Sequence, residues 1–363
     1  MRGLSFNLYV IFCILATFIL TAIFVPQPQT ESKCNRISLN NIYFLKVLLT
    51  YGIVLHHIFI YLGIWNRADI CVEFFFIISG FMLLYTCERL LTFKRFISKK
   101  IIRFVPYIFF ANLLSLYGKG TIDLIRFLAG IFLFSTTTLY PYHTYYMPSW
   151  YLVILFWISI SYFIIIHTFR YYTYIIGIIS LIALIALFFQ SSPIEAFNPI
   201  LPCFTNCIVR GFAYMGIGYF IATIFIKIKK YKIKKRIALT VLELFLLTHI
   251  PLSIFCSSFA TNTAVSVIEF IVLMLLFLFQ CGYISQILEC SIWKYLASFT
   301  LPIFMTHDVI VPVMIYGSNF LKDFSDFAQV FILLGLSTLF GIITYYLFFG
   351  AQLCHRYIFR IFY

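Results

Sequence analysis

Apolar residues run in long unbroken blocks along nearly the whole chain, and the polar residues collect in short stretches between them. A block such as Ile175 to Phe189 shows neither the alternation of a half-buried strand nor the single stripe of a surface helix. It is apolar all round, which suits a helix in lipid. A hydrocarbon core about 30 Å thick takes roughly 20 residues of helix, and the pattern predicts ten such core spans. They are Ile42 to Ile64, Cys71 to Leu91, Ile101 to Tyr117, Trp150 to His167, Tyr171 to Phe189, Cys203 to Ile226, Ile237 to Phe255, Ala264 to Cys281, Tyr295 to Tyr316 and Ala328 to Gly350. The fold class is therefore an all-α, polytopic transmembrane helix bundle. A barrel would alternate apolar and polar residues over runs of about ten, and these blocks do not.

Asn7 to Val25 is a further apolar block, an extra span or a signal peptide, preceded by the single Arg2. If it spans, Lys33 and Arg36 fall on the cytoplasmic side. The chain then divides into an N-terminal apolar segment with a short loop (1–40), a transmembrane domain (41–350) and a short basic tail (351–363). No internal repeat stands out.

Charge fixes the expected orientation. Two loops hold clusters of Lys and Arg: Arg89, Lys94, Arg95, Lys99 and Lys100 in one, and seven basic residues from Lys227 to Arg236 in the other. Both belong in the cytoplasm by the positive-inside rule. An even number of crossings must separate them, so the weakly apolar run Ile122 to Leu139 is not a span. Gly118 to Ser149 is expected at the outer face, lying flat or re-entering, with Asp123 and Arg126 interrupting it. The tail, with His355, Arg356 and Arg360, falls inside.

Composition agrees with this reading and removes alternatives. Hydrophobic residues make up 63% of the 363 and charged residues 10%, against roughly a quarter charged in soluble domains. Mean hydropathy is +1.01. The net charge of +14 sits in the loop clusters, so it calls for no nucleic-acid partner. Ten Cys are scattered, and the closest pair, Cys203 and Cys207, has no second pair at ligand spacing; no metal is expected.

Ionisable residues inside spans cost about 2.5–3.5 kcal/mol each on insertion scales, so they mark chemistry or pairing. On the first core helix, Lys46 lies near the cytoplasmic end, His56 and His57 near the outer end. Eleven positions at 1.5 Å rise separate Lys46 from His57 by about 16 Å and three turns, leaving them on nearly one face. Snorkelling is the alternative for Lys46. The second helix runs back, which brings Glu73 to the depth of His57, where a carboxylate would orient an imidazole for general-base work. An interfacial Glu at a helix start is the plainer account. Ser79 and Gly80 permit close helix approach. Lys100 and Arg103, one turn apart at the cytoplasmic mouth, suit a phosphate-bearing ligand, or are ordinary positive-inside charge. Arg210 is the Arg placed deepest in a span and calls for a partner or an anion. His307, with Asp308 beside it, is a polar lining or a satisfied core imidazole. Trp150 opens the fourth helix, where a membrane-interface role is the simple reading. His167 and His249 read as structural.

In order along the chain, these residues resemble the membrane acyltransferase-3 family, which O-acylates cell-envelope polysaccharides and other glycans. A basic residue, ten spacers and His match Lys46 and His57. The family's G-V-D-x-F-F-x-x-S-G-F matches Cys71 to Phe81, its R-x-x-R with a following Pro matches Lys100, Arg103 and Pro106, its W-x-L matches Trp150 and Leu152, and its S-x-x-I-Y-x-x-H is similar to Ser298 to His307, which has two more residues after Ser298 and Phe304 for Tyr. The departures are Cys71 for Gly, Glu73 for Asp and Lys100 for Arg. The family's acidic residues after W-x-L are replaced by Val153, Ile154 and Leu155.

The resemblance implies a plasma-membrane enzyme, in the inner membrane if the source is bacterial. It takes an acyl group, acetyl first, from cytoplasmic acyl-CoA to a sugar hydroxyl of an envelope or exopolysaccharide glycan or lipid-linked saccharide. Lys46, Lys100 and Arg103 would hold the donor, and His57 oriented by Glu73 would act as base. Arg210, Trp150 and His307 would meet the acceptor, with Arg210 on an oxyanion or an acidic sugar. No hydrolase-like domain follows Gly350, so a single-component enzyme or one with a separate partner, such as envelope polysaccharide machinery, is expected. The competing class is a transporter of polysaccharide or lipid-linked sugar, for which two related halves would be expected.

Overall fold

The computed structural model describes residues 39–85, 91–116, 123–137, 145–188, 199–201, 204–228, 237–317 and 320–362, with side chains except at 188, 199–201, 204 and 351–362. The N-terminal block Asn7 to Val25, the cluster Lys229 to Arg236, Arg89, Cys203 and the tail side chains His355, Arg356 and Arg360 lie outside the described side chains.

Nine of the ten predicted core spans are each a single helix over their described residues. The first elements are α1 (Asn40–Tyr61), α2 (Cys71–Tyr85), α3 (Phe93–Ser115), then a short α4 (Leu124–Ile131), α5 (Trp150–Thr168) and α6 (Tyr172–Phe188). A two-stranded antiparallel hairpin, β1 (Pro199–Leu201) and β2 (Phe204–Thr205), precedes α7 (Asn206–Ile228), so the sixth span begins at Asn206 rather than Cys203. α8 (Ile237–Phe255), α9 (Thr263–Leu278), the short α10 (Tyr283–Ile287) and α11 (Ile292–Leu296), α12 (Thr300–Gly317) and α13 (Asp326–Phe362) complete the chain. The expected ninth span is thus broken at Ala297 to Phe299, between α11 and α12.

Seven of these helices are long and apolar enough to cross a membrane, and α6 and α9 are shorter apolar helices. α3 has the length, at 23 residues, but carries Lys94, Arg95, Lys99, Lys100 and Arg103 in its first half. The eight-residue α4 would rise only about 12 Å, too little to cross, in line with its exclusion by charge parity. Asp123 caps it by accepting from the Arg126 N–H at 3.1 Å.

Lipid-facing surfaces are the reverse of those in a soluble bundle. On α6, Tyr174, Ile178, Leu181, Ile182 and Ile185 form one exposed apolar stripe, while its opposite side packs on α7.

The central crossing is α2 against α7, and glycine sets it. A Cβ on Gly80 would run into the Met215 carbonyl, and one on Gly218 into the Ile77 carbonyl, so the backbones touch as small residues allow in membranes. Of Ser79 and Gly80, expected to allow close approach, Gly80 makes it. The two helices run parallel, since Glu73 meets Arg210 near their starts and Gly80 meets the Met215 to Gly218 turn further along. An even number of crossings between the basic clusters requires this.

Several buried polar groups inside the bundle are matched. The Glu243 carboxylate, fully buried on α8, accepts from the N–H groups of Gly282 at 2.9 Å and Ser285 at 3.2 Å, capping α10. Glu289 accepts from the N–H groups of Asn40 and Asn41, both at 3.3 Å, at the start of α1. His249, expected to stand without a companion, lies with its Nδ1 3.0 Å from Glu269 Oε1 across α8 and α9.

Candidate active site

Two helices in direct contact, α1 and α12, carry the polar residues in matching stripes. On α1 these are Lys46, Thr50 and His57. On α12 they are Thr300, His307 and Asp308, which with Phe304 are spaced at three and four residues and therefore lie on one side. α2, α3 and α5 close around them.

Toward the basic end, these helices enclose a cavity of about 220 Å³. Lys46, Lys99, Lys100 and Arg103 all line it, so the three residues expected to hold the donor share one space. Cations from two helices converge there on a concave surface, which ordinary positive-inside charge does not require. Leu152, the second letter of the W-x-L match, and Ser79 also line it. Deeper in, Phe75, Tyr151 and Phe304 form an aromatic end wall, with the Tyr151 and Phe304 rings 5.8 Å apart and edge-on. The Tyr151 hydroxyl lies 3.3 Å from Ser79 Oγ.

One turn beyond that wall sits a cluster of imidazoles. The His307 ring centroid is 5.9 Å from Phe304 on one side and 4.9 Å from His57 on the other, and His56 stands edge-on to His57 at 5.2 Å. His57 Nδ1 lies 3.4 Å from Asp308 Oδ1, which also accepts from the Tyr61 hydroxyl at 3.2 Å. That contact, at the long end for a hydrogen bond, leaves His57 Nε2 as the base nitrogen.

Hydrogen bonds assign the tautomers of its neighbours. His307 Nδ1 donates to the Phe304 carbonyl at 2.7 Å, so the lone pair is on Nε2, which is buried and unpartnered among the described residues. Asn66 Oδ1 accepts from the Ala68 N–H at 3.1 Å and therefore is the oxygen; His56 Nδ1, at 2.5 Å, donates to it.

Glu73 does not orient His57, contrary to the sequence expectation. Its Oε1 accepts from Arg210 Nε at 2.7 Å and Nη2 at 2.6 Å. The reason is register together with the α2–α7 glycine crossing: Gly52, five residues before His57, faces Cys71, so Glu73, further along the antiparallel α2, is carried away from His57 and set beside a permanently charged guanidinium. Glu73 Oε2 remains buried with no partner among the described residues. Arg210 thus already has its counter-charge, and its guanidinium also stacks on the Trp150 ring at 5.2 Å. Trp150 faces this ion pair, not only the membrane interface. Arg210, Trp150 and Glu73 form one group, while His307 belongs with His57.

Asp308, Tyr61 and Phe304 are the functional candidates that sequence reasoning did not assign. The signal was present for Asp308: an acidic residue inside an apolar span, adjacent to a matched His. Among the described residues no cluster of His, Cys, Asp and Glu is arranged to hold a metal ion.

The acyltransferase-3 family model, described as an acyltransferase domain, matches residues 39–346. No curated protein and no solved structure matches the chain. The matched range runs from the residue before α1 into α13 and so takes in the cavity, the imidazole cluster and the Glu73–Arg210 pair alike. On that match over most of its length, the chain belongs to the acyltransferase-3 family and is a multi-pass membrane acyltransferase.

Proposed function

We propose that the protein transfers an acetyl group from acetyl-CoA to a hydroxyl of a cell-envelope or exopolysaccharide sugar, free or lipid-linked, in the plasma membrane. The basic loops and the C-terminus face the cytoplasm in this reading, so the donor enters from that side. The observation that carries it is the cationic cavity ending one helical turn short of His57 and Asp308.

Lys100 and Arg103 take the CoA phosphates at the mouth, Arg103 as a planar fork and Lys100 as a point charge. Lys46 lies further up and steadies the pantetheine amides. His57 Nε2 removes the proton of the acceptor hydroxyl, and the oxygen attacks the thioester carbonyl. The C–S bond breaks as the ester bond forms, and the imidazolium returns the proton to the departing CoA thiolate. Asp308 holds the tautomer and balances the imidazolium charge, the role first expected of Glu73.

Because Glu73 neutralises Arg210, the pair favours a neutral sugar over an acidic one. Glu73 Oε2 is free to accept a sugar hydroxyl, and the Trp150 ring offers apolar surface beside it. His307 Nε2 is a second acceptor next to His57.

The test is transfer of label. Membranes with the full chain, given acetyl-CoA labelled in the acetyl group and an envelope glycan fraction, should move label into glycan, and His57→Ala membranes should not. Label that reaches glycan equally in both would remove His57 from the reaction.

A further inference from the structure

We infer that Phe304 is the acyl-size filter of the donor site. The inference rests on the reading of the cationic cavity as the place where acyl-CoA binds. It adds the feature that limits which acyl group can be carried.

The cavity is asymmetric. Its cations gather at one end, and its other end is closed by the rings of Phe75, Tyr151 and Phe304. A donor anchored by its phosphates at the cationic end points its thioester at that wall. The acyl group is then the part of the donor that meets the rings.

Among the three rings, Phe304 also borders the reaction centre. Its ring faces the cavity and lies 5.9 Å from His307, which lies 4.9 Å from His57, and neither imidazole lines the cavity. Phe304 therefore stands between thioester and base. Its backbone is fixed: the carbonyl accepts from the Tyr146 hydroxyl at 2.7 Å and from His307 Nδ1 at 2.7 Å. With the main chain held twice, only rotation of the ring opens the way, and the space the ring vacates sets the length of acyl chain that can follow. A longer chain would have to displace Tyr151, which is itself held near Ser79 at 3.3 Å.

The test is competition binding on the full chain, purified in lipid nanodiscs and carrying His57→Ala so that no donor is consumed. Labelled acetyl-CoA is displaced by unlabelled acetyl-, butyryl- and hexanoyl-CoA. With the Phe304 ring present, affinity should fall steadily with chain length. Phe304→Ala should raise butyryl affinity relative to acetyl by at least about tenfold, since two methylenes then find apolar space, and Phe304→Leu should fall between. Were Phe304→Ala not to insert, Phe304→Leu alone would carry the comparison. An unchanged chain-length profile in an inserted variant overturns the inference. Failure of the donor-site reading looks different: acetyl-CoA would then bind no more weakly to a Lys100→Ala, Arg103→Ala double variant than to the parent.

Discussion

Exchanging Glu73 for Gln removes the counter-charge of Arg210 and changes little else in shape. The two side chains are 6% and 4% exposed, so neither charge can turn to water. Breaking a buried pair from one side costs about 3–5 kcal/mol, most of it from the charge left behind. The two halves are unequal. An Arg cannot shed its proton, whereas a lone carboxyl can be neutralised by taking one up. Glu73→Gln should therefore destabilise by the full amount, Arg210→Met by less, and Glu73→Gln with Arg210→Met should recover much of the loss. At roughly 2 °C per kcal/mol for a large chain, Glu73→Gln lowers the melting temperature in detergent by about 5–10 °C, read from intrinsic Trp fluorescence. The coupling in the double-mutant cycle should reach about 2–3 kcal/mol. If Glu73→Gln is as stable as the parent, the pairing argued above is wrong.

Two further outcomes follow from the same geometry. Asp308→Asn keeps the shape beside His57 but loses the charge, so kcat should drop about 10²–10⁴-fold with KM for acetyl-CoA unchanged, because Asp308 lies outside the donor cavity; steady-state CoA thiol release checks both constants. Gly80→Ala places a methyl group against the Met215 carbonyl and should destabilise the α2–α7 crossing by at least about 1–3 kcal/mol, seen as loss of folded protein in detergent size-exclusion chromatography.

The helices were legible because lipid imposes a crude rule: a block of about 20 apolar residues is a span. Parity of the basic clusters was enough to keep Leu124 to Ile131 out of the count. The common space shared by Lys46, Lys100 and Arg103 was legible too, since helical spacing fixes direction within a helix and all three sit toward one end. What spacing cannot give is the partner across helices. Glu73 and Arg210 are 137 residues apart, and their meeting depends on a glycine-to-backbone approach at Gly80 and Gly218 that the sequence records only as two small residues. The register of α1 against α2 was not legible either: Gly52 faces Cys71, which leaves His57 five residues further along α1 and Glu73 away from its depth. Asp308 won His57 because α12, not α2, turns its acidic residue toward that ring. Phe304 was invisible for a different reason: in a chain with 45 Phe, one ring at a boundary carries no mark.

Release of CoA thiol from acetyl-CoA, measured on membranes holding equal amounts of inserted parent and His57→Ala protein with a glycan fraction as acceptor, tests the central claim most directly. Acceptor-dependent release by the parent, abolished in His57→Ala, is the result the account predicts. Equal release by both proteins would contradict it.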